Sequence, residues 1–276
     1  MTTTTTPIKP MQPIEGRIKD LVEGKAYIVQ PKLRGIRAIW DPVRKALVTR
    51  KGRALTSVDH LIKAIQGSPL ERIPLDGEIY VHGMAFKKIS GLAQRKKSSE
   101  ETAVLEFHVF DIAVTNITGT QRQIALSVLV LAGKFSPQIH RVRFPSCVSR
   151  DAILTRYETW LADGYEGIII RDPEAPYTPG ESKHIIKVKP LNDMEAELIG
   201  FEPAGPDSRN ADTFGSLILQ LANGATFKCS GIGDDDRAEL WQRKPLGQPV
   251  TFMYDFIDEE SGGPQGARYV EIRWDK

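Results

Sequence analysis

One apolar, β-rich stretch of the sequence reads Tyr27-Ile-Val-Gln-Pro-Lys32-Leu-Arg34-Gly35-Ile-Arg37-Ala-Ile-Trp40. It sets a lysine and a glycine close together inside an otherwise strand-like run. Taken alone, this is a weak signal, because most lysines are solvated surface residues. Its meaning depends on the charged residues that the rest of the chain supplies.

Four later segments also combine an apolar strand pattern with charged residues. They are Asp76-Gly77-Glu78, Phe107-His-Val-Phe110-Asp111, Glu166-Gly167-Ile-Ile-Ile170-Arg171 and Ile185-Ile-Lys187-Val-Lys189. Alternate residues of a strand share a face, so we expect Asp76 to lie on the side of Glu78, and Lys187 on the side of Lys189. Structural explanations compete for three of the segments. Asp76 and Glu78 would form a hairpin rim, Glu166 would cap a turn, and the lysines would lie on the solvent face of a half-buried strand.

Length and composition describe an ordinary globular protein. The 276 residues allow one large domain or two modest ones. Hydrophobic residues at 41% and charged residues at 26% exclude disordered, collagen-like and coiled-coil chains. The formal net charge is only +2, so any affinity for nucleic acid has to come from local clusters of basic residues.

No segment predicts membrane association or secretion. The longest nearly uncharged apolar run, 124–132, is shorter than the roughly 18 residues that a membrane span needs. The polar start of the chain lacks the features of a secretory signal, which favours the cytoplasm of a bacterium or of a phage host. Cys147 and Cys229 are isolated in the sequence, so we expect them to fill the core.

The pattern up to about residue 190 predicts an α+β domain. Short β-rich runs alternate there with amphipathic helical patterns. In one of them, apolar residues recur at helical spacing from Val58 to Ile65, with Ser57 as the expected N-cap and Gly67 just past the end.

After Pro190 the pattern changes to strands separated by Gly and Asn turns. The expected strands are Glu195–Phe201, Ser216–Leu221, Ala225–Cys229, Val250–Phe256 and Arg268–Trp274. Asn223-Gly224 predicts a tight hairpin, and the expected helix at 234–243 falls between the third and fourth strands. Five strands with this helix predict an OB-fold β-barrel at residues 191–276. Alternation places Phe256, Val270 and Trp274 in its core.

The order and spacing of these segments resemble the ATP-dependent DNA ligases, within the covalent nucleotidyltransferase superfamily. The resemblance covers essentially the whole chain after residue 25, in the compact two-domain form of bacteriophage-type and accessory bacterial ligases. The matching motifs are Lys32-Leu-Arg34-Gly35-Ile-Arg37, Thr49-Arg50, Asp76-Gly77-Glu78, Phe107–Asp111, Glu166-Gly167, Lys187-Val-Lys189 and Arg273-Trp-Asp275-Lys276. Seven motifs in the same order are specific, whereas any one of them is common by chance.

The resemblance implies a nucleotidyltransferase (adenylation) domain of antiparallel sheets with flanking helices at residues 1–190, followed by the OB domain. Lys32 would be the nucleophile that forms a lysyl-AMP intermediate with ATP, and a DNA 5′ end would be adenylated next. The implied catalytic residues are Lys32, Lys187, Lys189, Arg273 and Lys276. The implied cofactor-binding residues are Gln30, Pro31, Arg37, Arg50, Glu78, Phe110, Glu166, Lys187 and Lys189.

The chemistry of these residue types agrees with those roles. An amine attacks a phosphate only after it has lost its proton, which nearby positive charge from Lys187, Lys189 and a metal ion would favour. Glu78 and Glu166 offer hard oxygen ligands for Mg²⁺, with Mn²⁺ as an alternative, and Glu78 is also a candidate acceptor for the ribose hydroxyl. Phe110 is expected to stack on adenine, and Phe107 stays open because the strand register is not fixed by sequence.

One position departs from the family motif, because Arg34 stands where the family has an acidic residue. Arg34 would either add positive charge and bind phosphate, or leave the enzyme slow or inactive in sealing. The second alternative extends to a relative that binds nucleic acid without catalysis. An RNA ligase or a capping-type nucleotidyltransferase are further alternatives.

The implied partner is nicked duplex DNA, gripped without reading its bases. We expect a monomer with no membrane partner, without an N-terminal DNA-clamping domain or a zinc module. The candidate DNA contacts are basic clusters: a loop with Lys87, Lys88, Arg95, Lys96 and Lys97; Arg50, Lys51 and Arg53; and Arg141 with Arg143. Each cluster is equally compatible with a solvated loop.

Overall fold

The computed structural model describes residues 8–132, 136–190, 192–258 and 261–274. The chain divides into two compact units, of which the first ends at Val188 and the second begins at Lys189. Within the described ranges, no helix has the length and apolar character that crossing a membrane requires.

The first unit is an α+β structure built on two five-stranded sheets. Its strands are β1 Met11–Glu15, β2 Tyr27–Pro31, β3 Ile36–Asp41, β4 Ala46–Thr49, β5 Leu75–Tyr80, β6 Glu106–Ile112, β7 Ile139–Arg141, β8 Ser146–Cys147, β9 Ile168–Arg171 and β10 Gly180–Val188. Its α-helices are α1 Asp59–Ile65, α2 Phe86–Ala93, α3 Gly119–Ala132 and α4 Arg150–Ala162. The first sheet has the order β1-β10-β9-β2-β8 and the second the order β4-β3-β5-β6-β7.

Most strand pairs in these sheets are antiparallel, as the sequence predicts, but two edge pairs are parallel. β1 runs parallel to β10, and β7 runs parallel to β6. Parallel neighbours need a long connection, and here β6 and β7 are joined through α3, whereas the chain between β1 and β10 includes nearly the whole unit. The motif strands β2, β9 and β10 are therefore adjacent although they are far apart in sequence.

Each sheet has its own apolar core. Trp40 and Phe107, both fully buried, belong to the larger core, which the second sheet shares with α1 and α2. Val29 and Ile170 of the first sheet pack with Ile153 of α4 in a second core. Cys147 is buried in that second core, and Cys229 is buried in the core of the second unit, in agreement with the sequence prediction.

Helix α1 forms where the apolar spacing predicts it, but its start differs. Val58 occupies the N-cap, and no side chain caps the helix there. The Ser57 hydroxyl instead donates a 2.8 Å hydrogen bond to the Ala93 carbonyl at the end of α2. The N-cap prediction for Ser57 is therefore wrong, because a tertiary contact takes the hydroxyl that local sequence rules assign to the helix.

The second unit contains the five strands and the helix that its turn pattern predicts. The elements are β11 Asn192–Glu202, β12 Ser216–Gln220, β13 Thr226–Cys229, α5 Asp234–Arg243, β14 Pro249–Tyr254 and β17 Arg268–Ile272, with a short pair β15 Phe256–Ile257 and β16 Pro264–Gln265. The main sheet has the order β13-β12-β11-β14-β17. Its edge strands meet through Ser230, whose amide donates to the Ala267 carbonyl (3.2 Å) and whose carbonyl accepts from the Tyr269 amide (2.8 Å). The sheet therefore curls back on itself.

Three core predictions in this unit are wrong. A β-bulge between β14 and β17 pairs Val250 with Ile272 but Phe252 with Tyr269, so Tyr269 takes the inner position. Val270 is consequently 43% exposed, and Trp274, beyond the strand, is 46% exposed. Phe256 belongs to the separate strand β15 and is only partly buried.

Candidate active site

Lys32 and Glu166 are joined by both backbone and side chains. The Lys32 amide donates to the Gly167 carbonyl (2.8 Å), and the Glu166 amide donates to the Lys32 carbonyl (3.1 Å). These bonds continue the antiparallel ladder between β2 and β9. The Lys32 Nζ donates to the Glu166 carboxylate, and both side chains are less than one-fifth exposed. Two motifs separated by 134 positions therefore form one acid–amine pair.

Glycine is required where the backbones around this pair come close. A Cβ on Gly35 would lie 2.1 Å from the Ile79 carbonyl oxygen, which is backbone and cannot move aside. A Cβ on Gly77 would lie 2.6 Å from the His108 carbonyl oxygen. The glycines of the first and third motifs thus let β3, β5 and β6 approach one another beside Lys32.

Glu78 is a half-buried carboxyl on β5 within the field of the same groups. Burial raises its pKa to about 7, and Arg37 and Lys32 oppose this rise, while Asp76 and Glu166 add to it. The carboxyl therefore changes charge near neutral pH unless a cation is bound beside it. Such a group is well suited to hold a cation or to accept a hydroxyl hydrogen bond.

Phe110 is placed by a β-bulge. In the pairing of β5 with β6, Asp76 lies opposite Asp111 and Gly77 opposite Val109, so Phe110 has no partner. Its ring is partly exposed and lies 4.7 Å from the Arg37 guanidinium carbon. Phe107 is 0% exposed in the core. Of the two aromatics that the sequence leaves open, only Phe110 therefore has a ring that a ligand can reach.

A buried network fixes Arg37. Its guanidinium binds Asp76 through two 2.6 Å hydrogen bonds, and its Nη2 also donates to the Met11 carbonyl at 2.9 Å. Asp76, which is 0% exposed, accepts a further 2.6 Å hydrogen bond from the Tyr177 hydroxyl. Burial alone would lower the Arg37 pKa, but the ion pair with Asp76 keeps it raised. Arg37 therefore acts as a fixed charge against the Phe110 ring.

A second buried network lies around Asp111, which is also 0% exposed. Its carboxylate accepts hydrogen bonds from Arg122 (2.8 Å) and Arg171 (2.9 Å). Arg171 also donates to the Gln30 side-chain oxygen at 2.7 Å. The Gln30 side-chain nitrogen donates in turn to the Phe110 carbonyl at 3.0 Å. Gln30 is thus buried, and both ends of its side chain are engaged in positioning the bulged strand.

Sequence reasoning gave no role to Tyr177, Asp111, Arg122 or Arg171, which hold these networks. Arg171 ends β9, and Asp111 lies one residue before the end of β6. This was the available signal, because a charge next to a buried run needs a partner. Tyr177 and Arg122 carry no such signal, because their partners are set by the packing of distant segments.

Three further residues of the predicted site belong to the first unit. Pro31 ends β2 directly before Lys32. Lys187 on β10 pairs with Glu15 at 3.3 Å, and Arg50 is exposed, 3.3 Å from the Gln12 side-chain oxygen.

The remaining predicted residues belong to the second unit or fall outside the described residues. Lys189 lies 3.6 Å from Asp255, and Arg273 donates to Glu195 at 3.0 Å. Lys276 lies outside the described residues. The structure therefore brings Lys32, Glu166, Glu78, Arg37 and Phe110 together, and the role of every predicted site residue stays a prediction.

The basic clusters are exposed with one exception. Lys87 and Lys88 lie on α2, so the prediction that this segment is a loop is wrong for them, whereas Arg95 to Lys97 follow the helix and are exposed. Arg143 is exposed, but Arg141 is half-buried against the Phe144 ring and donates to Ser127 at 2.6 Å. Burial lowers the Arg141 pKa, consistent with its packing role.

Comparison with known proteins agrees with this geometry. A family model described as the ATP dependent DNA ligase domain matches residues 9–189. A DNA ligase of African swine fever virus is 28% identical over 271 residues, covering 89% of this chain and 63% of that protein. A DNA ligase of Haemophilus influenzae is 25% identical over 260 residues, covering 94% of this chain and 87% of that protein. The chain thus spans 63% of the length of the viral relative.

The fold is similar to that of a solved Lig E DNA ligase. The TM-score is 0.84 at 24% identity, with 96% of this chain and 99% of that chain covered. The likeness extends over both compact units, because so little of either chain is left out.

Proposed function

This chain belongs to the ATP-dependent DNA ligase family, and from that premise we propose that it seals nicks with 5′-phosphate and 3′-hydroxyl ends in duplex DNA. One observation carries the proposal. Lys32 is paired through its Nζ with Glu166, inside the region that the family model matches. A partly buried amine beside a carboxylate and a base-sized aromatic ring is suited to covalent nucleotidyl transfer.

In the first step, the Lys32 amine attacks the α-phosphorus of ATP. A nitrogen–phosphorus bond forms, the bond to the pyrophosphate oxygen breaks, and the pyrophosphate leaves. Glu166 is in position to accept the proton that the amine must lose, because it already receives a hydrogen bond from Nζ. The AMP then passes to the DNA 5′-phosphate, and attack by the 3′-hydroxyl forms the phosphodiester and releases AMP.

Nucleotide recognition is assigned to groups around that pair. Phe110 would stack on adenine, since its bulged ring is exposed while Phe107 is not. Gln30 would hold Phe110 in place through its hydrogen bond to the Phe110 carbonyl, and Arg37 would do so through its packing against the ring. Glu78 would accept the ribose hydroxyl or bind metal.

The donor set around Lys32 fits a magnesium ion, with manganese as an alternative. Glu78 and Glu166 are carboxylates, the hard oxygen donors that Mg²⁺ prefers. Burial raises the pKa of the half-buried Glu78 to about 7, and a cation bound beside it would favour its charged form. When bound, the ion would neutralise charge on the phosphates of ATP.

The second unit is proposed to be an OB-fold barrel, with the domain boundary near residue 190. Five strands, a helix between β13 and β14, and edge strands that meet through Ser230 support this. The family resemblance assigns Lys189, Arg273 and Lys276 to phosphate contacts, as it does Lys187 and Arg50 in the first unit. These roles stay predictions.

The surface proposed to bind DNA would contact phosphates and would not read the base sequence. Lys51, Arg53, Lys96 and Arg143 are exposed and suited to phosphate contacts. If they bind DNA, each phosphate contact should contribute about 0.9 to the slope of log affinity against log salt.

The test is a nick-sealing assay with ATP and Mg²⁺ on a duplex bearing one 5′-phosphorylated nick. We expect a sealed strand with the wild type and none with Lys32→Ala. The matched control is Lys19→Ala, an exposed lysine of the same unit. Sealing that requires GTP, or that occurs only on RNA, would replace the proposal by the capping-type or RNA ligase alternative.

Arg34 supports one competing function, a relative that binds nucleic acid but seals slowly or not at all. Arg34→Asp restores the acidic residue of the family motif and separates the two readings. Lower sealing in this variant supports a working role for the arginine, and higher sealing supports impaired chemistry.

A further inference from the structure

Three side chains with metal-binding atoms converge at the edge of the second sheet. Glu106 and His108 occupy alternate positions of β6, and His140 is the register partner of His108 on β7. The Glu106 Oε2 lies 2.7 Å from the His108 Nε2 and 3.4 Å from the His140 Nε2. All three donor atoms lie within 4.8 Å of one another. Among the described residues, no other such trio of His, Cys, Asp or Glu side chains is present.

The protein contacts leave this cluster incomplete. The His140 Nε2 is buried and has no hydrogen-bond partner among the described residues, although the Glu106 Oε2 lies 3.4 Å away. A buried polar atom without a partner is costly, so such a group points to a missing ligand. A structural ion pair would need only Glu106 and His108, and would not explain why the His140 ring stacks on His108 with its nitrogen unsatisfied.

The strands already bring the donor atoms of the three side chains together, as a metal site requires. A metal ion would replace the hydrogen that Glu106 and His108 share, and would also satisfy the His140 nitrogen.

We propose that Glu106, His108 and His140 form a binding site for a divalent transition-metal ion of the zinc class. Two imidazoles and one carboxylate are a zinc donor set that leaves one position open for water. Imidazole ligands disfavour Mg²⁺, so this site differs in kind from the all-carboxylate pair Glu78 and Glu166. The proposal does not depend on ligase activity.

The position of the site gives it a structural consequence. β7 has only three residues and lies at the sheet edge, held to β6. A metal that joins His140 to β6 would hold this strand in place. His108 is also the register partner of Glu78, so the bound ion would lie one strand away from the candidate active site.

The experiment is calorimetric titration of Zn²⁺ into metal-free, untagged protein in excess Mg²⁺ and without nucleotide. We expect one Zn²⁺ per chain, and at least about tenfold weaker binding in His140→Ala and in Glu106→Gln. The matched control is His184→Ala, because His184 also lies near a carboxylate, 3.6 Å from Asp172, but in a different sheet. It should bind Zn²⁺ as the wild type does.

A second readout does not depend on any variant folding. Zn²⁺ should slow amide hydrogen exchange in β7 of the wild type, and Co²⁺ should give the visible absorption of an imidazole-containing site. Absence of one-to-one Zn²⁺ binding, or unchanged affinity in His140→Ala, would overturn the proposal. Loss of binding in His184→Ala would overturn it as well.

Discussion

The two units contain contrasting ion pairs. In the first unit, Asp76 and Asp111 are 0% exposed, and each is bound by at least one arginine. In the second unit, the pair of Lys228 with Glu202 is 65% and 39% exposed. Buried ion pairs are fixed in place, because breaking one leaves an uncompensated charge in the core. The charges of an exposed pair are solvated by water when the pair breaks. The buried charges of the first unit are therefore held in fixed positions, and four predictions test this difference.

The largest expected effect comes from Asp111→Asn. This change leaves Arg122 and Arg171 buried without their counter-charge, so the free energy of unfolding should fall by about 3–5 kcal/mol. Hydrogen exchange of β6 peptides in increasing urea measures the first unit specifically. Asp20→Asn, in an exposed pair of the same unit, is the control and should leave these peptides unchanged. Equal exchange in the two variants would remove the contrast.

A smaller loss is expected for Tyr177→Phe. The hydroxyl donates to Asp76 at 2.6 Å and accepts from the Met11 amide at 3.0 Å, and the side chain is only 2% exposed. Its removal should cost about 1–3 kcal/mol in the same measurement, because buried partners lose their hydrogen bonds. The effect should reach β1, where Met11 lies. Unchanged exchange in β1 would show that the network does not hold it.

The third prediction concerns pH and a partly buried pair of the first unit. Burial raises the Asp172 pKa, but the hydrogen bonds from Lys25 (2.8 Å) and from the Glu174 amide outweigh it, so the folded pKa is lowered. The resulting stability is present above the unfolded pKa of about 3.9 and is lost as pH falls below it. We therefore expect Asp172→Asn to be less stable than the wild type by about 0.5–1 kcal/mol at neutral pH.

Urea denaturation across pH measures the gap between these two proteins, which should close as the pH falls through about 4. A gap that widens toward low pH would mean that the sign of the shift is reversed.

The smallest effect is expected in the second unit. Glu202→Gln breaks the exposed contact with Lys228, and the unfolding free energy of β11 and β12 should change by at most about 0.5 kcal/mol. Exchange of β11 and β12 peptides provides the measurement. A loss as large as that of Asp111→Asn would contradict the contrast between the units.

Much of the fold could be read from local patterns. The turn and strand signals of the second unit predict all five strands and α5, because each hairpin is local and its turns carry Gly or Asn. The burial of the motif strands could also be predicted, because each of them contains an apolar run. One wrong prediction depends on a bulge, because one extra residue reverses the face of Val270 relative to Ile272. Trp274 is exposed because the strand ends before it, at Ile272.

The candidate site was predictable only in part for the same reason. The motif resemblance names Lys32, Glu166, Glu78 and Phe110, and their gathering follows from pairing between distant strands. The supporting network around Asp111 and Tyr177 has no local pattern, because its members come from different elements. The choice of Phe110 over Phe107 depends on a bulge that the sequence does not mark.

The central claim is that Lys32 is the nucleophile of an ATP-dependent ligase. The most direct test is incubation of adduct-free protein with α-labelled ATP and Mg²⁺, followed by mass spectrometry of its peptides. We expect AMP on Lys32, lost in Lys32→Ala and retained in Lys19→Ala. Folded wild-type protein that takes label from neither ATP nor GTP, or takes it on another lysine, would contradict the claim.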